Sequence, residues 1–541
     1  MHSMNQDENV GMVPMTLQEI AEAVHGRLVD GDGPHADLGQ GSGDGSPHIR
    51  AEATNVVSDS RQLREGSVFV AIAGERVDGH DFVPGIAASG AVAAIVEHVV
   101  EGSSVAQIVV ENSVRALGLL ARHNLDKRRE MDLPLTIIGI TGSVGKTTTK
   151  DLLSSLLRRL GSTIAPVGSF NNEIGLPLTA LEVNASTRFL VAEMGASHIG
   201  EITYLTNIAP PDISIALKVG VAHLGEFGSV ENIAKAKSEI VQGLLPGGVA
   251  VLNANDPRVA QMRRFAPGRV LWFGEQAGSG VDVFNEGQAF DMTAQDIRVD
   301  GLDHPSFTMS DGAEHVPVTL GISGEHNVMN ALAAAAVAHH LGLPLDDIAA
   351  VLADQRRISP HRMAVSTVER NGIAFTLIDD SFNANPDSMR AGLRGLSAWG
   401  SSGEDKPFRV AVLGAMLELG ADELALHRQI GEQCADLSLD AVVAVGGNEA
   451  LAPLAQALAD GAKDEASRRG VTGSTQDFKV LLAQDAKQAD DMISSLGQEH
   501  RNMVVLLKGS HVSGLSALAE QWEKRESHSM TADEQNGEVQ R

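Results

Sequence analysis

The sequence predicts an α/β protein of three consecutive units, and three observations carry that expectation. Short apolar runs recur along the chain and stop abruptly at glycine, asparagine or a charged residue, as parallel strands do where they meet a ligand edge. Stretches with leucine or alanine at helical spacing lie between several of them. The 541 residues exceed what one hydrophobic core usually serves.

Taken in order, residues 1–14 and 526–541 are polar and weakly patterned, and we expect them to be tails without structure. The first unit is expected over 15–133. It holds a short helix near 17–25, a Gly/Asp/Ser-rich loop over 30–47, strands near 67–73 and 93–96, and a helix near 114–124. The charged stretch 126–132, followed by Pro134, reads as a linker. The second unit is expected over 134–355. Its apolar runs end in Glu193, Lys218 and Asn253, and an alanine-rich helix covers 331–340. The third is expected over 356–525, with runs ending in Asp379-Asp380, Gly414, Gly446-Gly447 and Lys508-Gly509.

The most informative segment opens the second unit. An apolar run over 135–140 leads into Thr141-Gly142-Ser143-Val144-Gly145-Lys146-Thr147-Thr148, and Leu152, Leu153, Leu156, Leu157 and Leu160 follow at helical spacing. Strand, glycine loop and helix is the arrangement that wraps phosphates: backbone N–H groups and the helix N-terminus face the anion and a lysine adds a point charge. Thr147, directly after the lysine, is placed to hold Mg²⁺. The loop is a short version, with Ile140 where the longer motif has its first glycine. The segment predicts binding of a nucleoside triphosphate; the plain alternative is a glycine-rich turn with a chance lysine.

Bulk properties narrow the classes. A net charge of −28 argues against sequence-independent binding of nucleic acid or anionic membranes. Cys434 is the single cysteine, so neither an internal disulfide nor a cysteine zinc site is available, which suits a reducing compartment. No long uncharged apolar run and no leader pattern is seen, so we expect a cytoplasmic protein without membrane insertion, and a monomer.

Four further clusters carry chemistry. Glu193, at a strand end, suits Mg²⁺ or is a plain surface glutamate. His223 is a metal ligand, a phosphate contact or a structural histidine. Lys237, within Lys235-Ala236-Lys237, reads from composition as one face of a solvated helix. His326, Asn327 and Asn330 open the alanine-rich helix; their amides suit a purine edge or a helix cap.

In sequence order these sites join longer matching stretches: Asp59-Ser60-Arg61, the segment 74–82, Asn171-Asn172-Glu173, Glu193-Met194-Gly195-Ala196, the segment 379–389 and Leu507-Lys508-Gly509-Ser510. Together they resemble the Mur ligases of bacterial peptidoglycan synthesis, and within them the branch that adds a dipeptide. The resemblance implies an N-terminal UDP-substrate domain, a central P-loop ATPase-like α/β domain and a C-terminal Rossmann-like α/β lid. It implies ATP and Mg²⁺ as cofactors, UDP-N-acetylmuramoyl-tripeptide and D-alanyl-D-alanine as substrates, and amide formation by way of an acyl phosphate. By the same resemblance Lys146, Glu193, His223 and Lys237 are catalytic, with Thr147, Glu193, His223 and a Lys237 carbamylated by CO₂ around metal. Gly142 to Thr148, Asn327, Asn330, Arg362 and Asp380 contact ATP. Asp59, Ser60, Arg61, Asn171, Asn172, Asn383, Asn385 and Asp387 contact the other substrates. Lys218, Ala415 and His361 depart from the usual asparagine, aspartate and glycine. A ligase adding a diamino acid carries an Asp-Asn-Pro-Arg acceptor signature, which this chain lacks. Folylpolyglutamate synthetase shares the core but not the first unit. A silent nucleotide-binding scaffold is the alternative from another class.

Overall fold

The computed structural model describes residues 11–31, 51–74, 77–220, 224–275, 290–300, 303–356, 359–370, 372–400, 406–470 and 478–523. The expected loop over 30–47 and the C-terminal tail fall largely or wholly outside them. Gly11 to Pro14, expected to be tail, are ordered: Met12 and Val13 are buried, and the Val13 amide donates to Asn124 Oδ1 at 3.0 Å.

Three main sheets form. The first runs Arg27–Val29, Ala106–Val109, Ala91–Val96, Ser67–Val70, Asn55–Val57. The second has nine strands. It runs Thr163–Ile164, Phe189–Glu193, Thr136–Thr141, Ile213–Ala216, Val249–Asn253, Val270–Glu275, then Met292–Val299, Pro305–Ser310 and His315–Thr319. The first seven of these are parallel, and the last two pairings are antiparallel. The third sheet runs Ala364–Arg370, Ile373–Asp380, Met503–Lys508, Phe408–Leu413, Ala441–Val445, Lys479–Ala483, parallel except for its first pair. Thr136–Thr141 is rich in β-branched residues and paired on both edges, which is why it reads as a nearly unbroken apolar run. The alanines of helix Asn327–His340 let it lie close against helix Lys146–Leu157 under the same sheet.

One apolar cluster runs from Met15, Leu17 and Ile95 of the first unit through Leu120 and Leu125 to Leu190, Ile202 and Ile240 of the second. These two units therefore share a core. The third unit has its own clusters on the two faces of its sheet.

Of the stretch 126–132, expected as a linker, residues 126–129 instead form the last turn of helix Ser113–Arg129, and only 130–132 lie beyond it. Its charges misled the reading because Arg128 is not solvated. It is fully buried and donates to the carbonyls of Asn184 and Leu133, at 2.9 and 2.6 Å, and of Thr187. One turn earlier the Asn124 amide donates to Ala180 O and Val183 O. These bonds pin the first unit's long helix to the second unit.

The third unit is seated through Lys150. Its buried ammonium donates to Pro166 O, Gly168 O and Ser359 Oγ and pairs with Asp151, which in turn accepts from Ser359 N at 2.7 Å. A second contact lies across the mouth, where the Gly225 amide donates to Glu418 O at 3.1 Å.

Arg128→Met should leave three carbonyls without their donor, that of Thr187 in a buried setting, and lower stability by roughly 2–4 kcal/mol. The check is urea unfolding, where the midpoint should fall while the slope stays that of the parent.

Candidate active site in the cleft between the units

The chemistry gathers where the parallel strands of the nine-stranded sheet end. Strand Thr136–Thr141 turns through Gly142–Gly145 into helix Lys146–Leu157. Gly145 caps that helix at φ 86°, a left-handed conformation, and a Cβ there would sit 2.2 Å from Asn330 Oδ1. Glycine is thus required twice over at this position. Ser143 Oγ accepts from Gly220 N at 2.9 Å, and Ser143 N donates to Lys218 O, tying the loop to the next strand end. Lys218 contributes this bond through its backbone, which any residue supplies.

Register then places Glu193. Strand Phe189–Glu193 pairs in parallel with 136–140, so its last residue lies beside the loop. Glu193 is buried; Oε2 accepts from Thr147 Oγ1 at 3.0 Å and Oε1 from Asn171 Nδ2 at 2.9 Å. A hydroxyl and a carboxyl side by side, the latter oriented by an amide, are hard oxygen donors that fit Mg²⁺. No group of three or more His, Cys, Asp or Glu that could hold a metal occurs among the described residues.

Lys146 Nζ donates to Gly142 O at 3.0 Å across the loop. Burial pushes its ammonium below the ordinary value, against the pull of Glu193 and with the push of Arg362. Arg362 comes from the third unit, stacks over Phe382 at 4.4 Å and reaches Thr147 Oγ1 at 3.5 Å. Its Nε is buried without a hydrogen-bond partner. Two cations and a nest of amides converging at one point suit a polyanion.

Lys237 overturns the composition reading. It lies on helix Val230–Gln242 and is buried rather than solvated. Burial, with the charge of Lys146, pulls its ammonium down to about 7. His223 lies outside the described residues.

The remaining candidates divide. Gly145, Lys146, Thr147, Thr148, Asn171, Asn172, Glu193, Asn327, Asn330, Arg362, Asp380, Asn383, Asn385 and Asp387 all line one continuous cleft of about 1210 Å³. Asn327 and Asn330 are partly engaged: Asn327 Nδ2 donates to Ser323 O, and Asn330 Nδ2 to Asn327 Oδ1. Asn385 Oδ1 caps helix Pro386–Ala398 by accepting from Ser388 N. Asp387 approaches Gly220 so closely that a Cβ there would lie 2.6 Å from its carboxyl oxygen. Asp59, Ser60 and Arg61 are not part of the cleft lining. They form a short turn on the first unit in which the Arg61 guanidinium holds the Asp59 carboxyl down at about 2.

Two buried lysines carry no site role in the sequence reading. Lys508 is buried and pairs with Asp380 at the cleft wall. Its place after a strand-like run was the available signal. Lys150 lies one helical turn after Lys146, between Thr149 and Asp151, where nothing in the local pattern marks it as buried. His361 sits at φ 60°, which explains why glycine is usual there, and its Nδ1 is 2.7 Å from Asp379 Oδ2.

Known proteins match all three units of the chain. Residues 140–338 match the Mur ligase middle domain, 361–511 the Mur ligase, glutamate ligase domain, and 52–124 the Mur ligase family, catalytic domain. The UDP-N-acetylmuramoyl-tripeptide–D-alanyl-D-alanine ligase of Mycobacterium bovis is 37% identical over 94% of this chain and 98% of its own. A crystal structure of MurF from Acinetobacter baumannii superposes with a TM-score of 0.75 at 33% identity, covering 95% of this chain and 100% of that one. The MurF ligase of Thermotoga maritima in complex with ADP superposes with a TM-score of 0.68 at 30% identity, over 87% of this chain and 97% of that one.

The buried Lys237 sets a pH dependence with a definite sign. Its proton affinity is lower in the fold, near 7, than its ordinary 10.5. Below pH 7 the folded chain carries the full cost of burying the cation, and the cost fades as pH rises towards 10. Lys237→Met should therefore be more stable than the parent at pH 6, on the order of 3–5 kcal/mol, a tenfold change in proton affinity being about 1.4 kcal/mol. Unfolding in CO₂-free buffer should show that gain closing by pH 10; a gain independent of pH would contradict it.

Proposed function

Because the chain belongs to the Mur ligase family, we infer that it is an ATP-dependent ligase that joins D-alanyl-D-alanine to UDP-N-acetylmuramoyl-tripeptide in peptidoglycan precursor synthesis. One observation carries the residue-level reading. A single cleft collects the glycine loop, the Thr147–Glu193 pair, Arg362 of the third unit and the Asn383–Asp387 turn. That is what a reaction joining two substrates at the expense of a third requires.

The terminal carboxylate of the tripeptide takes the γ-phosphoryl group of ATP and becomes an acyl phosphate. The amine of the dipeptide then attacks the carbonyl carbon, phosphate leaves, and the amine's proton is lost as the amide forms. The difficulty is charge, since an anion must approach an anion. Lys146 and the amides after Gly142 supply positive potential to the phosphates. Mg²⁺, when bound, screens the two anions; Thr147 and Glu193 would hold it, Asn171 orienting the latter. Lys237, whose burial lowers its ammonium to about 7 and so leaves a free-amine fraction near that pH, suits reaction with CO₂ to a carbamate with loss of a proton, which replaces a cation by oxygen donors. Asn383 and Asp387, in the cleft lining, are assigned to the dipeptide, whereas Asn385 keeps its side-chain oxygen for the helix cap. Arg362 and Asp380 join the site only when the third unit is docked, so docking completes the constellation and excludes water from the acyl phosphate. Asp59 to Arg61, away from the cleft lining, are assigned to the UDP end of the long substrate. We place the activity in the cytoplasm, where ATP and nucleotide-linked precursors meet.

Release of ADP and phosphate from Mg²⁺-ATP should require both the tripeptide donor and D-alanyl-D-alanine. Lys146→Ala should abolish turnover in a protein that still folds; retained turnover would remove the loop assignment. Lys237→Ala should lose most activity and recover part of it with added short carboxylic acids, measured by the same phosphate assay.

A further inference from the structure

Resting on the reaction just assigned, we propose that Arg115 and Glu173, beside Tyr204, form a subsite that selects a tripeptide whose third residue ends in both an ammonium and a carboxylate. All three side chains line the cleft. Arg115 stands in the first turn of helix Ser113–Arg129. A cation there works against the helix dipole, unlike Lys127, Arg128 and Arg129 in the last turn. Arg115 and Glu173 are both exposed, and neither makes an ion pair among the described residues. An arginine that faces the cleft without a carboxyl partner is available to an anionic group of a ligand. Tyr204, on helix Glu201–Ile208, is packed against the first unit at Gly118, where a Cβ would lie 2.9 Å from the phenol oxygen. Burial pushes the Tyr204 phenol up; Glu173 adds to that push and Arg115 opposes it, so both charges act on the hydroxyl.

Placement relative to the reacting atoms gives these charges their meaning. Glu173 follows Asn171, whose amide holds Glu193. The carboxyl to be activated belongs to the third residue of the peptide, so the side chain of that residue must start beside Glu193 and run along an adjoining wall. One adjoining wall carries a free carboxyl, a phenol and a free guanidinium. A zwitterionic side-chain end matches all three: its carboxylate meets Arg115 and its ammonium meets Glu173. A lysine side chain supplies the ammonium alone and leaves Arg115 unmatched.

The test compares kcat/KM for two donors, with 2,6-diaminopimelate or with lysine as third residue. The parent enzyme should prefer the diaminopimelate donor by at least about tenfold. Arg115→Gln should bring that ratio close to one, mainly by raising KM for the diaminopimelate donor, and Arg115→Lys should keep part of the preference. Glu173→Gln should raise KM for both donors by similar factors. A parent ratio near one, or a ratio that survives Arg115→Gln, overturns the subsite. Turnover of neither donor by the parent would instead strike the assigned reaction, and the subsite with it.

Discussion

The cleft depends on where Glu193 is held. A carboxyl group fully enclosed by protein is costly unless its oxygens are occupied, and here each oxygen has one donor, Thr147 on one side and Asn171 on the other. Those donors come from the helix after the glycine loop and from a separate loop before helix Gly175–Ala180. Parallel pairing with 136–140 sets the height of Glu193. Three pieces of chain are thereby fixed to one another, and the phosphate loop inherits its position from them. Asn330 closes the arrangement from below, filling the space that a side chain at position 145 would need.

Around that point the molecule is mechanically unequal. The first two units are continuous through a common apolar core and through the buried bonds of Asn124 and Arg128, so they behave as one base. The third unit has separate cores and touches the base through polar contacts: the Lys150–Asp151–Ser359 group, the Gly225–Glu418 bond and the approach of Asp387 to Gly220. Polar contacts of this kind exchange readily for water, which is what a body that docks and undocks during turnover needs. Arg362 lies only a few residues beyond Ser359, so its delivery to Thr147 is coupled to that seat.

Much of this was legible in the sequence because parallel strands buried on both faces leave an unmistakable trace. Phe189–Glu193, Ile213–Ala216, Val249–Asn253, Phe408–Leu413 and Met503–Lys508 all appear as apolar runs with a polar stop. Residues whose environment is set by distant chain were harder to read. Arg128 looks like part of a solvated charge run until the carbonyls of 184–187 are brought to it. Lys237 looks like one side of an exposed helix, and only resemblance pointed to it. The antiparallel strands Pro305–Ser310 and His315–Thr319 are only partly buried and span five or six residues each, too short a pattern to stand out. Asn385 was legible as a candidate for the site but not as a cap, because capping needs the helix start at Pro386 to be known.

Tyr204 is the chain's sole tyrosine, and it lies at the seam where the base's two halves meet the cleft. Biosynthetic incorporation of fluorotyrosine would therefore give a single fluorine resonance, free of overlap. Its chemical shift would report the occupancy of that seam directly, in a protein too large for routine proton spectra.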